Sequence, residues 1–258
     1  MNFVRRGSGK PLLLIHGLGG SWRSWNPIVD SLAQQRDVIA IDLPGFGASP
    51  PLAGAATFLG LADAVEVFLN ERGLAGIDVT GSSMGARLVL ELARRGVVGA
   101  SVALDPGGYW RGWEESFFST SIALSMKLVR AIQPVLPLLT SNPVTRTALF
   151  AQFSARPWDL PGRLALDELR SFAASPSFDA VLDDLTSGPR QAGAPAGTLR
   201  APLTIGWGRA DRVCLPTQAA RALAAFPDAR LYWFENSGHF PQWDSPTETV
   251  RLILQTTA

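Results

Sequence analysis

Cysteine and histidine are scarce in this chain. Its 258 residues include one cysteine, Cys214, and two histidines, His16 and His239. A single cysteine excludes an internal disulfide, which fits a reducing compartment, so we expect a cytoplasmic protein in which Cys214 is a small buried residue. These three residues are too few for a structural zinc site of the usual kind. We therefore expect no metal, and no motif in the sequence indicates another cofactor.

A strong charge of one sign is also lacking. The chain has 23 basic and 22 acidic residues, which gives a formal net charge of +1 at pH 7. Proteins that bind nucleic acid concentrate Lys and Arg in a basic patch, so we expect a small-molecule partner and no nucleic acid. The hydrophobic content of 47% is normal for a globular protein with a large core. The sequence does not distinguish a monomer from a homodimer.

No uninterrupted apolar run reaches membrane-spanning length. The N-terminal stretch "MNFVRRGSGKPLLLIHG" lacks the form of a signal peptide. The longest apolar region, residues 117–139, is interrupted by Lys127, Arg130, Pro134 and Pro137. A spanning helix needs roughly 20 predominantly apolar residues, so we expect no association with a membrane.

Short apolar segments alternate with segments of helical periodicity over much of the chain. The predicted strands are residues 11–17, 37–45, 77–83, 100–108, 201–208 and 229–238. The predicted helices are residues 22–35, 57–72, 84–95, 216–226 and 245–256. Near-continuous apolar strands are typical of parallel sheets covered on both faces, and the alternation indicates right-handed βαβ units. We therefore predict an α/β fold with a mostly parallel central sheet and helices on both faces.

The alternation stops between residues 109 and 200. This segment contains helix-like pieces separated by stretches such as "ARPWDLPG" and "SGPRQAGAPAG", and it contains no predicted strand. We interpret residues 109–200 as a helical cap inserted into the chain, and we call them the cap segment. The predicted core domain then consists of residues 1–108 and 201–258.

The stretch "VTGSSMGARLVL" carries a G-x-S-x-G pattern where a predicted strand meets a predicted helix. Gly81, Ser83 and Gly85 fit the pattern, whereas Ser82 has no glycine two residues before or after it. A serine on such a sharp turn presents its hydroxyl at the edge of the sheet, and the small flanking residues relieve crowding. The pattern also arises by chance, but in this context it predicts Ser83 as a nucleophile.

A serine nucleophile needs a general base, most often histidine, and an acid that orients the base. His239 follows the last predicted strand and precedes the last predicted helix, so it should lie at the same edge of the sheet as Ser83. Asp211 follows the neighbouring strand, and Asp105 is the main alternative at another strand end. The chain order Ser–Asp–His favours Asp211.

The stretch "IHGLGGSW", residues 15–22, forms an H-G-x-G turn after the first predicted strand. Such a turn leaves backbone N–H groups free to stabilise a negatively charged oxygen. We predict that the N–H groups of Leu18 and Met84 form this oxyanion hole. His16 is expected to brace the turn rather than to act as a base.

Arg87, Trp22 and Trp110 are the candidate substrate-binding residues. Arg87 lies four residues after Ser83, one helical turn further, where it could recognise a substrate carboxylate. The alternative is that Arg87 pairs locally or extends to solvent. The aromatic residues of the cap segment suit a hydrophobic substrate pocket, although each of them, like Trp22, could equally pack the core.

Five stretches of the chain together resemble the α/β-hydrolase superfamily, in order and over nearly the whole length. They are "HGLGG", "IDLPGFGAS", "GSSMGA", "GRADRV" and "SGHFPQWDSP". The resemblance implies Ser83 as nucleophile, Asp211 as acid, His239 as base and a helical lid after the sixth strand of the family fold. Only about ten residues precede "PLLLIHG", so one leading strand is expected to be missing or very short. Ala86 stands where many relatives carry a second glycine.

These observations predict a carboxylesterase-like serine hydrolase that cleaves an ester or related acyl bond of a small, largely apolar substrate through an acyl-enzyme. One alternative is a carbon–carbon bond hydrolase, or a lyase resembling the menaquinone-pathway branch, in which Arg87 binds a substrate carboxylate. Cofactor-free perhydrolysis would use the same triad. An alternative of another class is a non-catalytic ligand-binding module of this fold.

Overall fold

A seven-stranded sheet forms the centre of the computed structural model, which describes all 258 residues. The strands in chain order are β1 (Phe3–Arg6), β2 (Pro11–Ile15), β3 (Asp37–Ile41), β4 (Asp78–Ser82), β5 (Ser101–Leu104), β6 (Leu203–Gly208) and β7 (Arg230–Phe234). Their order in space is β1-β3-β2-β4-β5-β6-β7. Strand β1 runs antiparallel to β3, and every other neighbouring pair is parallel. The predicted mostly parallel sheet is confirmed.

Strand β2 illustrates why the apolar runs are continuous. Leu13 and Ile15 pack into the larger hydrophobic cluster, whereas Leu12 and Leu14 pack into a second cluster. Because successive side chains of a strand point to opposite faces, a sheet covered on both sides needs an apolar residue at every position. All four side chains are fully buried.

Helices cover both faces of the sheet, as predicted. They are α1 (Asn26–Ala33), α2 (Phe58–Glu71), α3 (Met84–Arg95), α4 (Trp113–Ala131), α5 (Leu136–Ser141), α6 (Pro143–Phe150), α7 (Gly162–Ala174), α8 (Phe178–Ser187), α9 (Ala219–Ala225), α10 (Pro241–Asp244) and α11 (Pro246–Thr256). Helices α1 and α11 share the second cluster with one face of the sheet, and α2, α3 and α9 share the larger cluster with the other face.

The short strand β1 does not follow from the hydrophobic pattern. Its sequence "FVRR" is mostly exposed, and it pairs with β3 in the register Phe3↔Ile41. The Arg5 guanidinium also donates hydrogen bonds to the Asp37 carboxylate of β3. Pairing with a neighbouring strand therefore determines this conformation. One strand, β1, precedes β2, and the cap segment follows the fifth strand of this chain.

The cap segment contains helices α4 to α8 and no strand, and it lies between β5 and β6. Phe150, Leu164 and Leu169 form a third hydrophobic cluster with Trp243 from outside the segment. No single helix is long and apolar enough to cross a membrane. The consecutive segments Trp113–Ala131 and Gln133–Ser141 have the length and apolar composition of a membrane span only when taken together, and the chain bends by 68° between them.

Candidate active site

Ser83 occupies a strained turn between β4 and α3. Its backbone has φ 57° and ψ −118°, an unfavourable region for any residue with a side chain. The flanking glycines make this turn feasible. A β-carbon on Gly81 would stand 2.2 Å from the Gly85 carbonyl oxygen, and one on Gly85 would stand 2.2 Å from the Ile15 carbonyl oxygen. The G-x-S-x-G pattern is therefore a packing requirement of this turn.

Ser83, His239 and Asp211 form one hydrogen-bonded chain. His239 Nε2 lies 2.8 Å from Ser83 Oγ, and His239 Nδ1 lies 2.9 Å from Asp211 Oδ2. The other carboxylate oxygen of Asp211 accepts the N–H groups of Val213 at 2.7 Å and Cys214 at 3.0 Å. Because Nδ1–H must donate to the carboxylate, Nε2 is free to accept the serine hydroxyl proton. The structure thus brings together the three residues predicted from the sequence.

Ser82, the neighbouring serine, has different surroundings. It is fully buried, and its hydroxyl oxygen accepts a hydrogen bond from Gln242 Nε2 at 3.1 Å. It makes no hydrogen bond with His239. The geometry therefore agrees with the choice of Ser83 from the register of the glycines.

Asp105, the alternative acid, lies close to the triad without joining it. Its Oδ1 accepts the Gly208 N–H at 2.8 Å, and it makes no hydrogen bond with His239. Burial raises the pKa of Asp105 well above its usual range, and the nearby Asp211 charge raises it further. Burial therefore favours the neutral form of Asp105, and Asp211 is the acidic residue that contacts the histidine.

The loop that carries His239 is fixed by Asp244, which sequence analysis missed. Asp244 Oδ2 accepts the N–H groups of Gly238 at 2.7 Å and Ala155 at 2.8 Å, and Oδ1 accepts the Ser154 hydroxyl proton. The His239 N–H donates to the Phe153 carbonyl oxygen at 2.9 Å. The cap segment and the histidine loop are thus joined next to the candidate base. The only sequence signal is an acidic residue shortly after the histidine.

His16 braces the turn that approaches Ser83. Its Nδ1 donates to the Gly17 carbonyl oxygen at 2.7 Å, and its Nε2 accepts the Leu43 N–H at 3.0 Å. Burial lowers the pKa of His16, which favours the neutral form that these two bonds require. A β-carbon on Gly17 would lie 3.1 Å from the Ser83 β-carbon, so the turn containing Leu18 packs directly against the serine.

A cavity of about 260 Å³ opens beside Ser83 and His239. Fifteen of its 23 lining residues are hydrophobic, including Leu18, and none is Lys or Arg. The cap segment supplies much of its wall, for example Phe118 from α4 and Phe150 from α6. The cavity therefore suits a small, largely apolar molecule without a negative charge.

Arg87 lies outside this cavity. With Ser83 and Met84 it lines a second space of about 10 Å³, which has room for about one water molecule but not for a substrate group. Its guanidinium donates to the carbonyl oxygens of Leu185, at 3.2 Å, and Pro189 in the cap segment. It also stacks 4.2 Å from the Phe58 ring centroid. Burial lowers the pKa of Arg87 to about 10, so it remains a cation at neutral pH. Arg87 connects α3 to the cap segment instead of facing the substrate.

Trp22 and Trp110 are also outside the main cavity. The Trp22 ring lies against the guanidinium groups of Arg6 and Arg23, and the backbone N–H of Trp22 donates to Asp42 Oδ1 at 2.7 Å. Trp110 packs its ring 4.7 Å from that of Phe118 and belongs to the hydrophobic core. These contacts agree with the packing alternative for both tryptophans, and Trp110 also lines the small space next to Ser83.

Glu168 is the polar residue that sequence analysis did not find. It lies on α7 of the cap segment, lines the same cavity as Ser83 and is 8% exposed. Burial raises the pKa of Glu168 to about 8. The charged appearance of "LDELRS" indicates a solvated helix face, so no local signal identifies an acid in the cavity.

Asp211, Cys214 and His239 each offer one possible metal ligand, within 4.8 Å of one another. Both carboxylate oxygens of Asp211 already accept hydrogen bonds. Burial raises the pKa of the Cys214 thiol well above its usual range, which disfavours the thiolate that a metal would need. These donors fit the hydrogen-bonded chain better than a metal site.

The family model described as "Alpha/beta hydrolase family" matches residues 12–252. The chain belongs to the alpha/beta hydrolase family. This alpha/beta hydrolase is 29% identical over 98% of its length to the dihydrolipoyllysine-residue acetyltransferase component of acetoin cleaving system from Cupriavidus necator, and it spans 65% of that relative.

A second relative is 2-hydroxy-6-oxononadienedioate/2-hydroxy-6-oxononatrienedioate hydrolase 2 from Pseudomonas putida. It is 27% identical to this alpha/beta hydrolase, with 94% of this chain and 86% of the relative covered. Among solved structures, a thermophilic esterase from Thermogutta terrifontis matches with a TM-score of 0.77 at 21% identity, covering 98% of this chain and 91% of that one. At this identity the structural similarity establishes the shared fold.

Proposed function

We propose that this hydrolase cleaves a carboxylic ester or related acyl bond of a small, uncharged and largely apolar substrate through an acyl-enzyme. The observation that carries the proposal is the chain from Ser83 through His239 to Asp211, with bonds of 2.8 and 2.9 Å, at the wall of an apolar cavity. A serine activated in this way attacks a carbonyl carbon.

In the proposed mechanism, Ser83 Oγ forms a bond to the carbonyl carbon as His239 Nε2 takes the hydroxyl proton. Asp211 stabilises the resulting imidazolium through Nδ1–H. The tetrahedral intermediate then expels the alcohol, which receives the proton from Nε2. Water then enters, and its oxygen bonds to the acyl carbon as the same nitrogen takes its proton. The second tetrahedral intermediate breaks its bond to Ser83 Oγ, which takes the proton back from Nε2, and the acid leaves.

The oxyanion hole is proposed to consist of the N–H groups of Leu18 and Met84. Met84 is the first residue of α3, and the first N–H groups of a helix have no partner within it. Leu18 lines the cavity in the turn that packs against Ser83. Donors of this kind contribute about 3 kcal/mol each to stabilisation of the transition state.

The cap segment is proposed to act as the lid of the site and to determine the shape of the substrate. In support, its helices carry Phe118, Phe150 and Glu168 to the cavity, while Ser83 and His239 come from outside the segment. A change in the cap segment would then alter selectivity without altering the chemistry.

Carbon–carbon bond hydrolysis is the second candidate, because the Pseudomonas putida relative is named for such substrates. The nonadienedioates and nonatrienedioates in that name carry two carboxylates. The cavity described above has no Lys or Arg to receive them, and Arg87 binds carbonyl oxygens of the cap segment instead. The lyase alternative also needs Arg87 in the site. Ester hydrolysis of a neutral substrate therefore fits better.

The test combines covalent labelling with a substrate panel. Wild-type protein and the Ser82→Ala control should react with a fluorophosphonate probe and hydrolyse short p-nitrophenyl esters. Ser83→Ala should lose labelling and at least about 10⁴-fold of turnover while remaining folded. Absence of an adduct in folded wild-type protein would instead support a ligand-binding module. Turnover of an oxo-dienedioate in preference to every neutral ester would support the carbon–carbon hydrolase.

A further inference from the structure

Glu168 places a second polar group in the cavity. It makes no hydrogen bond with Ser83 or His239, and the proposed mechanism does not use it. Its position on α7 brings a carboxyl group into a wall that is mainly hydrophobic. A buried acid in such surroundings needs hydrogen-bond partners, because an unpaired buried polar group is unfavourable.

Only one of the two carboxyl oxygens has a partner within the protein. Glu168 Oε2 accepts the hydroxyl proton of Ser24 at 2.9 Å, whereas Oε1 is buried without a hydrogen bond. Ser24 Oγ accepts the Ser21 N–H at 3.4 Å, so the single proton of that hydroxyl is the one given to Oε2. Because Glu168 lines the cavity, a rotation of its carboxyl group about the soft terminal torsion would turn Oε1 towards a molecule bound there.

The protonation state of Glu168 decides what Oε1 can do. Burial raises the pKa of this carboxyl, the Ser24 bond partly offsets that rise and the charge of Asp167 on the same helix adds to it, so that the pKa is about 8. No Lys or Arg lines the cavity to pair with a carboxylate, and both ring nitrogens of His239 are engaged with Asp211 and Ser83. A group with a raised pKa is neutral below that value. Since Oε2 accepts the Ser24 proton, the acid proton resides on Oε1.

We propose that Glu168 is a specificity-determining residue that donates a hydrogen bond from Oε1 to an uncharged oxygen of the substrate, away from the scissile bond. This proposal rests on the proposed ester hydrolase function and narrows its substrate class. The substrate is then a neutral ester whose apolar chain carries one carbonyl, ether or hydroxyl oxygen. A substrate with an entirely hydrocarbon chain would leave Oε1 without a hydrogen bond. A substrate with a carboxylate would find no Lys or Arg in the cavity to pair with its charge.

The first experiment replaces the C4 or the C5 methylene of p-nitrophenyl hexanoate with an ether oxygen, because an oxygen at C2 would make a carbonate and one at C3 would activate the carbonyl. One position of the oxygen should raise kcat/KM about three- to tenfold over the parent ester, as expected for one hydrogen bond. This ratio should fall towards one as the pH rises through about 8, because ionised Glu168 has no proton to donate. Any effect of pH on the triad is common to both esters and cancels in the ratio.

Variants at two adjacent positions separate recognition from packing. Glu168→Leu should abolish the preference at every pH. Glu168→Gln should keep a preference through its amide N–H but lose the pH dependence, because an amide does not titrate. The control is Asp167→Asn, on the same helix with a side chain 31% exposed. It should keep the preference and its loss at high pH, with a slightly lower midpoint, because the Asp167 charge that raises the pKa of Glu168 is gone. If Glu168→Leu lowered kcat/KM equally for all esters and kept the preference for the ether oxygen, Glu168 would have a structural role and the proposal would be overturned.

Binding to Ser83→Ala separates this proposal from the proposed function. Calorimetry with the same unhydrolysed esters should reproduce the oxygen preference, and the additional Glu168→Leu change should remove it. Wild-type turnover without an oxygen preference at any position would refute the role of Glu168 and leave ester hydrolysis standing. A binding preference without turnover would refute ester hydrolysis and retain the role of Glu168.

Discussion

An added β-carbon on Gly85 would stand 2.2 Å from the carbonyl oxygen of Ile15, so α3 begins in direct contact with the end of β2. A backbone oxygen in a central strand cannot rotate away from this clash. Gly85→Ala should therefore displace Ser83 from His239 and destabilise the fold, since overpacking commonly costs about 1 to 3 kcal/mol. We expect a lower melting temperature and at least about a tenfold loss of esterase turnover.

Gly54→Ala is the matched control for this substitution. Its added β-carbon meets no atom within 4 Å, so melting temperature and turnover should remain at the wild-type values. If Gly85→Ala behaves like Gly54→Ala in both measurements, close packing does not hold the turn around Ser83.

The turn around Ser83 shows which features of the site could be predicted from the sequence. Glycine at positions 81 and 85 is required by contacts that form within a few residues and one neighbouring strand, so a short pattern identifies Ser83. The covered parallel sheet follows likewise from continuous apolar strands. By contrast, β1 depends on pairing with β3, and its residues "FVRR" show no strand pattern.

The contacts of residues that pack against or belong to the cap segment could not be predicted from the sequence. Helical spacing alone placed Arg87 one turn from Ser83, but the carbonyls that bind it belong to Leu185 and Pro189, about a hundred positions away. Glu168 likewise enters the cavity only because α7 packs beside Ser24. No local rule encodes how an inserted helical segment docks on its sheet.

The choice between Asp211 and Asp105 can be tested with isosteric amides. Asp211→Asn should lower kcat by about 10⁴-fold, because Nδ1 of His239 would no longer face a carboxylate and the wrong tautomer would form. Asp105→Asn should stay within a few-fold of wild type, since Asp105 makes no hydrogen bond with His239 and burial raises its pKa, which favours the neutral form that the amide imitates. An amide oxygen can still accept the Gly208 N–H. Steady-state kinetics at neutral pH that gave the opposite ranking would make Asp105 the acid.

Asp244 should control the position of His239 without touching the substrate. Asp244→Ala removes the acceptor of the Gly238 and Ala155 N–H groups, and the loss of bonds to a charged group should destabilise the protein on the order of 2 kcal/mol. We also expect a fall in kcat with little change in KM. Glu235→Ala, in the same loop with a side chain 68% exposed, is the control and should change neither quantity. Unaltered kcat in a destabilised Asp244→Ala protein would separate the loop contact from catalysis.

Arg87→Met tests whether this arginine supports the fold or recognises substrate. The substitution removes the donors to the Leu185 and Pro189 carbonyl oxygens and the stacking on Phe58. Leaving those oxygens buried and unpaired should destabilise the protein by about 1 to 3 kcal/mol. Because Arg87 does not line the cavity, kcat/KM for a carboxylate-bearing ester should change by the same factor as for its neutral isostere. A selective loss for the anionic ester, with an unchanged melting temperature, would restore Arg87 as a substrate ligand and reopen the carbon–carbon hydrolase and lyase alternatives.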